Sequence, residues 1–306
     1  MMVRVAMAAI FVAGGWTAAH AASASPDGMA GGPDAFGYVD LHGGVDFGFD
    51  DYYSHGVYGS SDHWQREDFG GAARGSLRLG PRASAQGDLW INRYGTTMQN
   101  YWYGASLHLT LQPTERDQIG VLASIGAQDN YDYTAYSLSR VYLTNFAVEW
   151  AHSADKWRLY AQGGYASNIN NMAFIEGWDP QWREIPFNNA YGVVVATYFV
   201  QPNLALSAKF GIDKFTSSIN WVDNNYELQW GAKIEYRRDN WPLIGFLAYK
   251  GRSEKFDYMG DVFTGNGIES VLFAGLKVPF QKGTIQSLYE HAGLADLNPA
   301  FGDFTY

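Results

Sequence analysis

No cysteine occurs among the 306 residues, which excludes a disulfide framework and any thiol chemistry. Past the first 21 residues there is no apolar run long enough for a spanning helix, which needs about 20 residues. Positive charge is scarce as well. Lys and Arg number 21 against 31 Asp and Glu, for a net charge of −10. An acidic chain is a poor partner for nucleic acid, and no basic patch interleaved with aromatics offsets that. There is no P-loop, no dinucleotide fingerprint and no internal repeat of fixed motif. No EF-hand or zinc spacing occurs, so neither a metal nor a cofactor is expected.

What is present begins with a leader. Arg4 precedes an apolar or small stretch from Val5 to Ala19, and Ala19-His20-Ala21 is a small-x-small cleavage site. This pattern predicts a signal peptide over 1–21 and a mature chain starting at Ala22. Removing Arg4 with it takes the net charge from −10 to −11.

From about residue 36 onward the chain is rhythmic. In Tyr38 to Phe49, Val39, Leu41, Val45, Phe47 and Phe49 share one phase, while Asp40, His42 and Asp46 share the other. Successive side chains of a strand point to opposite faces, so such a segment has one apolar and one polar face. The alternation predicts twelve strands, at about 36–49, 70–80, 83–93, 101–112, 118–127, 140–151, 156–167, 190–200, 203–215, 226–237, 241–252 and 268–280. Tight links rich in turn formers, such as Gly80-Pro81-Arg82 and Gln201-Pro202-Asn203, alternate with mostly longer connections at about 50–69, 128–139, 168–189, 216–225 and 253–267, the exception being a shorter one at about 94–100. Outward-phase aromatics gather at both strand ends. Trp150, Trp157, Phe199, Tyr236, Trp241 and Phe280 stand by the short turns, and Phe47, Phe49, Tyr101, Tyr103, Tyr165, Tyr226 and Tyr249 by the long loops. Two aromatic girdles are what two lipid–water interfaces favour. A secreted sandwich or propeller would alternate too, but has no reason to band its outward aromatics. With no spanning helix, the sheet must close on itself to sit in lipid.

The expected fold is therefore all-β, a 12-stranded antiparallel transmembrane β-barrel over 36–280. It is preceded by a periplasmic segment, 22–35, and followed by a periplasmic tail, 281–306. The last strand carries Ser270, Leu272, Ala274, Leu276, Val278 and Phe280 in one phase. It resembles the terminal strand signal of bacterial outer-membrane β-barrels of the porin-like class, although here 26 residues, 281–306, follow it. That resemblance covers nearly the whole mature sequence. It implies a bacterial outer-membrane location, both chain ends in the periplasm, and contact with the barrel-assembly machinery, membrane lipid and lipopolysaccharide. A homo-oligomer is left open, because lipid explains the apolar outer face equally well.

The inward phase supplies the candidate site. Asp40, Asp46, Arg74, Arg78, Asp88, Glu149, Arg158, Lys209, Lys233, Lys250, Glu269 and Lys277 are the candidate pore-lining residues. Asp213, Glu227, Glu235, Arg237 and Arg252 share their phase. Asp40 is expected near the depth of Arg78 and Lys277, and Asp46 near Arg74. Twelve strands fall between the eight that side chains fill and the sixteen that leave an aqueous channel. Inward small residues such as Gly44, Gly104, Gly164 and Gly231 should leave room. The first functional expectation is a porin-like channel for passive diffusion of small hydrophilic solutes or ions. The alternative is a non-conducting structural or surface-interaction barrel whose ions pair and fill the bore. An enzyme is not expected. Ser106 and His108 share a face, but Cα atoms two apart on a strand are about 7 Å apart, and no hydrolase-like motif surrounds them. The acidic first loop, with His55 and His63, and the aromatic loop at 168–189 read as solvated or rim-packed segments.

Overall fold

The computed structural model describes residues 35–54, 57–94, 100–132, 137–176, 179–217, 225–258, 263–280 and 283–291. The expected leader, 1–21, nearly all of segment 22–35 and the last part of the tail lie outside them. Twelve strands run β1 (Ala35–Ser54), β2 (Val57–Gly80), β3 (Ala83–Tyr94), β4 (Asn100–Leu111), β5 (Asp117–Asp132), β6 (Ser137–Ser153), β7 (Trp157–Glu176), β8 (Asp179–Gln201), β9 (Leu204–Ser217), β10 (Asn225–Tyr236), β11 (Ile244–Tyr258) and β12 (Phe263–Pro279). Each pairs antiparallel with the next, and β12 pairs with β1, so the sheet closes. One short helix, α1 (Ile285–His291), follows β12.

The alternation decides which face goes where. On β6, Phe146 and Val148 are 70% and 66% exposed, while Asn145 and Glu149 on the same strand are 0% and 4% exposed. Apolar groups face outward and polar groups inward, the reverse of a soluble core and the arrangement of a barrel in lipid. The short connections hold tight geometry. Asn240, for example, takes the left-handed conformation at φ 62°, which Asn tolerates better than most residues.

Two expectations need correcting. Segments 50–69 and 168–189 are not loops but mostly paired ribbon. The β1–β2 ladder runs up to Ser54↔Val57, and the β7–β8 ladder to Glu176↔Asp179. Beyond the membrane both faces of a ribbon meet water, so the one-sided apolar alternation disappears although the backbone pairing continues. The register also differs in part. Asp40 does lie opposite Lys277. Arg74, however, lies opposite Tyr38, and Asp46 lies opposite Arg66 and Val271. Arg78 pairs with Ser84 beyond the start of β1. The far end of the β1–β2 hairpin fixes that register, and its position is not visible in the alternation.

Candidate functional site

The inward side chains form three groups. The first spans β2 to β7 and centres on His108. Arg74 grips Asp88 with two bonds, Nε to Oδ1 at 2.7 Å and Nη2 to Oδ2 at 3.0 Å. The other side of Asp88 meets His108 Nε2 at 2.8 Å, and His108 Nδ1 meets Glu149 Oε2 at 2.9 Å. Glu149 also accepts from Tyr160 Oη at 2.6 Å and Gln162 Nε2 at 2.7 Å. An imidazole satisfies two carboxylates at once only when both of its nitrogens carry hydrogen. The group is thus a bridge of alternating charge, Arg–Asp–His–Glu, across the bore.

Ser106 Oγ lies 3.3 Å from His108 Nε2, so the two residues touch despite the Cα spacing, because the long imidazole leans along the strand. With Glu149 behind the ring, this copies the connectivity of a hydrolase triad. Ser106, however, donates to Asp88 Oδ2 at 3.1 Å, and that same oxygen occupies His108 Nε2. The nitrogen that would have to accept a serine proton is already engaged, and His108 is 0% exposed.

The second group spans β9 to β12. Gln229 Nε2 bonds Asp213 Oδ2 at 3.1 Å and Glu227 Oε1 at 2.6 Å. Arg252 reaches Glu227 at 3.6 Å and pairs with Glu269. Lys209 and Lys250 are buried among them. Toward β1, His42 bonds Asp40 at 3.2 Å and its ring lies 5.8 Å and 6.5 Å from those of Phe273 and Phe246.

The third group lies at the short-turn mouth of the barrel, which the C-terminal segment partly covers. Thr284 caps α1 reciprocally with Ser287: Ser287 N donates to Thr284 Oγ1 at 3.1 Å and Thr284 N to Ser287 Oγ at 2.9 Å, a form of capping box. Ile285, Leu288 and Tyr289 then stand on one face of the helix. Ile285 and Leu288 pack with Tyr38, Phe199, Ala205 and Ile244, and Tyr289 lies against that cluster. Polar bonds pin the same segment. Gln286 N donates to Pro202 O at 3.0 Å and Gln286 Nε2 to Asp155 O at 2.8 Å, while Arg237 donates to Gly283 O at 2.6 Å. Arg158 donates to Tyr289 O, and the Tyr289 hydroxyl donates to Glu235. Glu235 in turn holds Lys277 at 2.9 Å and Lys233 at 3.3 Å. The tail covers the β8–β11 side of the mouth. Opposite it, a cavity of about 380 Å³ remains between α1 and the ends of β2–β6, bordered by Arg78, Thr110, Gln118 and Gln286.

Of the expected pore-lining residues, Asp40, Arg74, Asp88, Glu149, Arg158, Lys209, Lys233, Lys250, Glu269 and Lys277 all face inward and are buried. Arg78 is exposed at the short-turn end, beside the β2–β3 turn, and the side chain of Asp46 lies outside the described residues. Several inward glycines do not leave room. Trp90, Tyr191 and Phe246 stand directly opposite Gly104, Gly164 and Gly275, and their rings fill the space a β-carbon would need. Side chains that a wide bore would wet are sealed: Asn145 is 0% exposed, and Lys250 and Lys277 are each 1% exposed. Reading the sequence did not single out Ile285, Leu288 and Tyr289. Their i, i+3, i+4 spacing behind a threonine cap was the available signal.

No family model and no curated protein matches the chain. Solved structures do. An outer-membrane channel from Pseudomonas putida F1 aligns over 83% of this chain and 98% of its own at 12% identity, with a TM-score of 0.52. The translocator domain of the autotransporter NalP from Neisseria meningitidis aligns over 89% and 96% at 12% identity, TM-score 0.46. A Pseudomonas aeruginosa FadL homologue aligns over 81% and 90% at 12% identity, TM-score 0.47. At such identities the likeness is one of fold. Closed barrel, apolar outer wall and shared architecture together define the class: the protein is a bacterial outer-membrane β-barrel.

Proposed function

We propose that the protein is an outer-membrane channel for small hydrophilic solutes or ions, held shut at its periplasmic end by its own C-terminal segment. The observation that supports this reading is the ionisable interior. Lys209, Lys233, Lys250, Lys277, Arg74 and Arg158 are all buried inside the barrel with Asp40, Asp88, Asp213, Glu149, Glu227, Glu235 and Glu269. A purely structural barrel gains nothing from this, because buried ion pairs are commonly no better for stability than apolar packing of the same volume. Charges along a path set ion selectivity. At the mouth, Arg158 and Lys233 bond Tyr289, and Lys233 and Lys277 pair with Glu235. Withdrawal of α1 would uncover Arg158, Lys233 and Lys277, and cations lining the path favour anions.

A second reading is a non-conducting barrel, favoured by the Arg74–Asp88–His108–Glu149 bridge that ties β2, β3, β4 and β6 across the bore. Planar-bilayer recording of the full chain and of a variant lacking residues 281–306 separates the two. Larger, anion-selective steps from the truncated barrel support the tail-gated channel. A silent bilayer from both, with folding verified by heat-dependent gel mobility, favours the structural barrel.

A further inference from the structure

Three residues of the outer wall stand in one row. Lys214 on β9 pairs across the ladder with Tyr226 on β10, and Tyr226 pairs on its other side with Lys255 on β11. All three are exposed and on the outward phase, in line with Phe210, Ile212 and Leu228. The Lys214 ammonium lies 5.4 Å from the Tyr226 ring centre, within cation–π range. Among the described residues, neither lysine has a carboxylate partner.

The height of this row follows from β10. Tyr236 and Tyr226 are both outward and ten residues apart, with Tyr236 beside the periplasmic turn. At about 3.4 Å per residue and a tilt of about 40°, they are separated by roughly 26 Å along the barrel axis, the height of the apolar band. The row therefore sits at the outer headgroup level. Just below it, Trp230 lies over Gly251, a flat apolar platform beneath two cations.

We infer that Lys214, Tyr226 and Lys255 form a seat for a phosphorylated glycolipid headgroup of the outer leaflet. The two ammonium groups pair with phosphate oxygens and the Tyr226 hydroxyl donates to one of them. The lysines stand two strand spacings apart, about 9.5 Å, which suits a headgroup bearing more than one phosphate. Position at the long-loop end selects the outer leaflet over the inner one.

Native mass spectrometry of the full-length barrel with bis-phosphorylated lipid A as probe tests the assignment. The wild type should retain the lipid, and Lys214→Ala/Lys255→Ala should bind it about thirtyfold more weakly, given about a fivefold contribution from each lysine near a charged surface. Lys214→Arg/Lys255→Arg should retain it, and dephosphorylated lipid A should not be held by the wild type. Equal retention by a folded double-alanine variant would overturn the assignment. Equal retention of phosphatidylglycerol by the wild type would overturn the choice of a glycolipid.

Discussion

Replacing Ile285 and Leu288 with alanine should undock the C-terminal segment while leaving the barrel closed. The two side chains are 0% and 7% exposed and pack on Tyr38, Phe199, Ala205 and Ile244. Truncating a buried Leu or Ile to Ala costs about 2–5 kcal/mol, with the low end where the surroundings can settle. A short helix at an open mouth can settle, so about 2 kcal/mol each is appropriate. The pair then shifts docking by about 4 kcal/mol, roughly a thousandfold in the ratio of docked to undocked tail. Chymotrypsin cleavage after Tyr289 reads that ratio, because the residue is half-buried against the mouth when docked, and cleavage follows the open population when reclosing is fast. Cleavage should accelerate by two to three orders of magnitude, about the population shift. Glu290→Ala, at an exposed position, should leave it nearly unchanged. An unaltered cleavage rate in the double variant would refute the idea that this apolar face holds the tail.

Two other substitutions probe the interior. His108→Leu removes the cation between Asp88 and Glu149; Asp88 keeps Arg74, but Glu149 is left buried with the neutral donors Tyr160 and Gln162, which should cost about 3–5 kcal/mol, seen as a lower urea midpoint for the barrel in lipid, and a loss under 1 kcal/mol would contradict the bridge. Gly104→Val forces the Trp90 ring off its seat and should cost about 1–3 kcal/mol. Gly87→Val on the neighbouring strand brings its β-carbon only to ordinary contact, 4.0 Å from Ser106 O, and should lower the temperature of heat-dependent gel mobility far less.

The strand count and the inward or outward sense of nearly every wall residue were legible because lipid outside and polar groups inside impose opposite demands on adjacent positions. Leu107 and Leu109 are exposed while Ser106 and His108 are buried, as the alternation requires. Depth was harder to read. Arg74 was expected near Asp46 but lies opposite Tyr38, since a two-residue period says which face a residue takes and not how far its strand has slid. The filling of the bore was illegible for a related reason. Gly104 looks like empty space until its partner across the ladder is known to be Trp90. The contact between Ser106 and His108, and the helix in the tail, depend on side-chain reach and on a 3.6-residue period embedded after a long run of two-residue periods.

The seat of α1 also carries an order of events. Tyr38 comes from the first strand, Phe199 and Ala205 from the eighth and ninth, and Ile244 from the eleventh. These surfaces face one another only once β12 has met β1. Ile285 and Leu288 therefore lack their complete seat while the sheet is open, and a segment made after all twelve strands can come fully to rest only on a finished ring. A docked tail is in that sense a certificate of closure: its burial distinguishes a completed barrel from one whose two chain ends have yet to find each other.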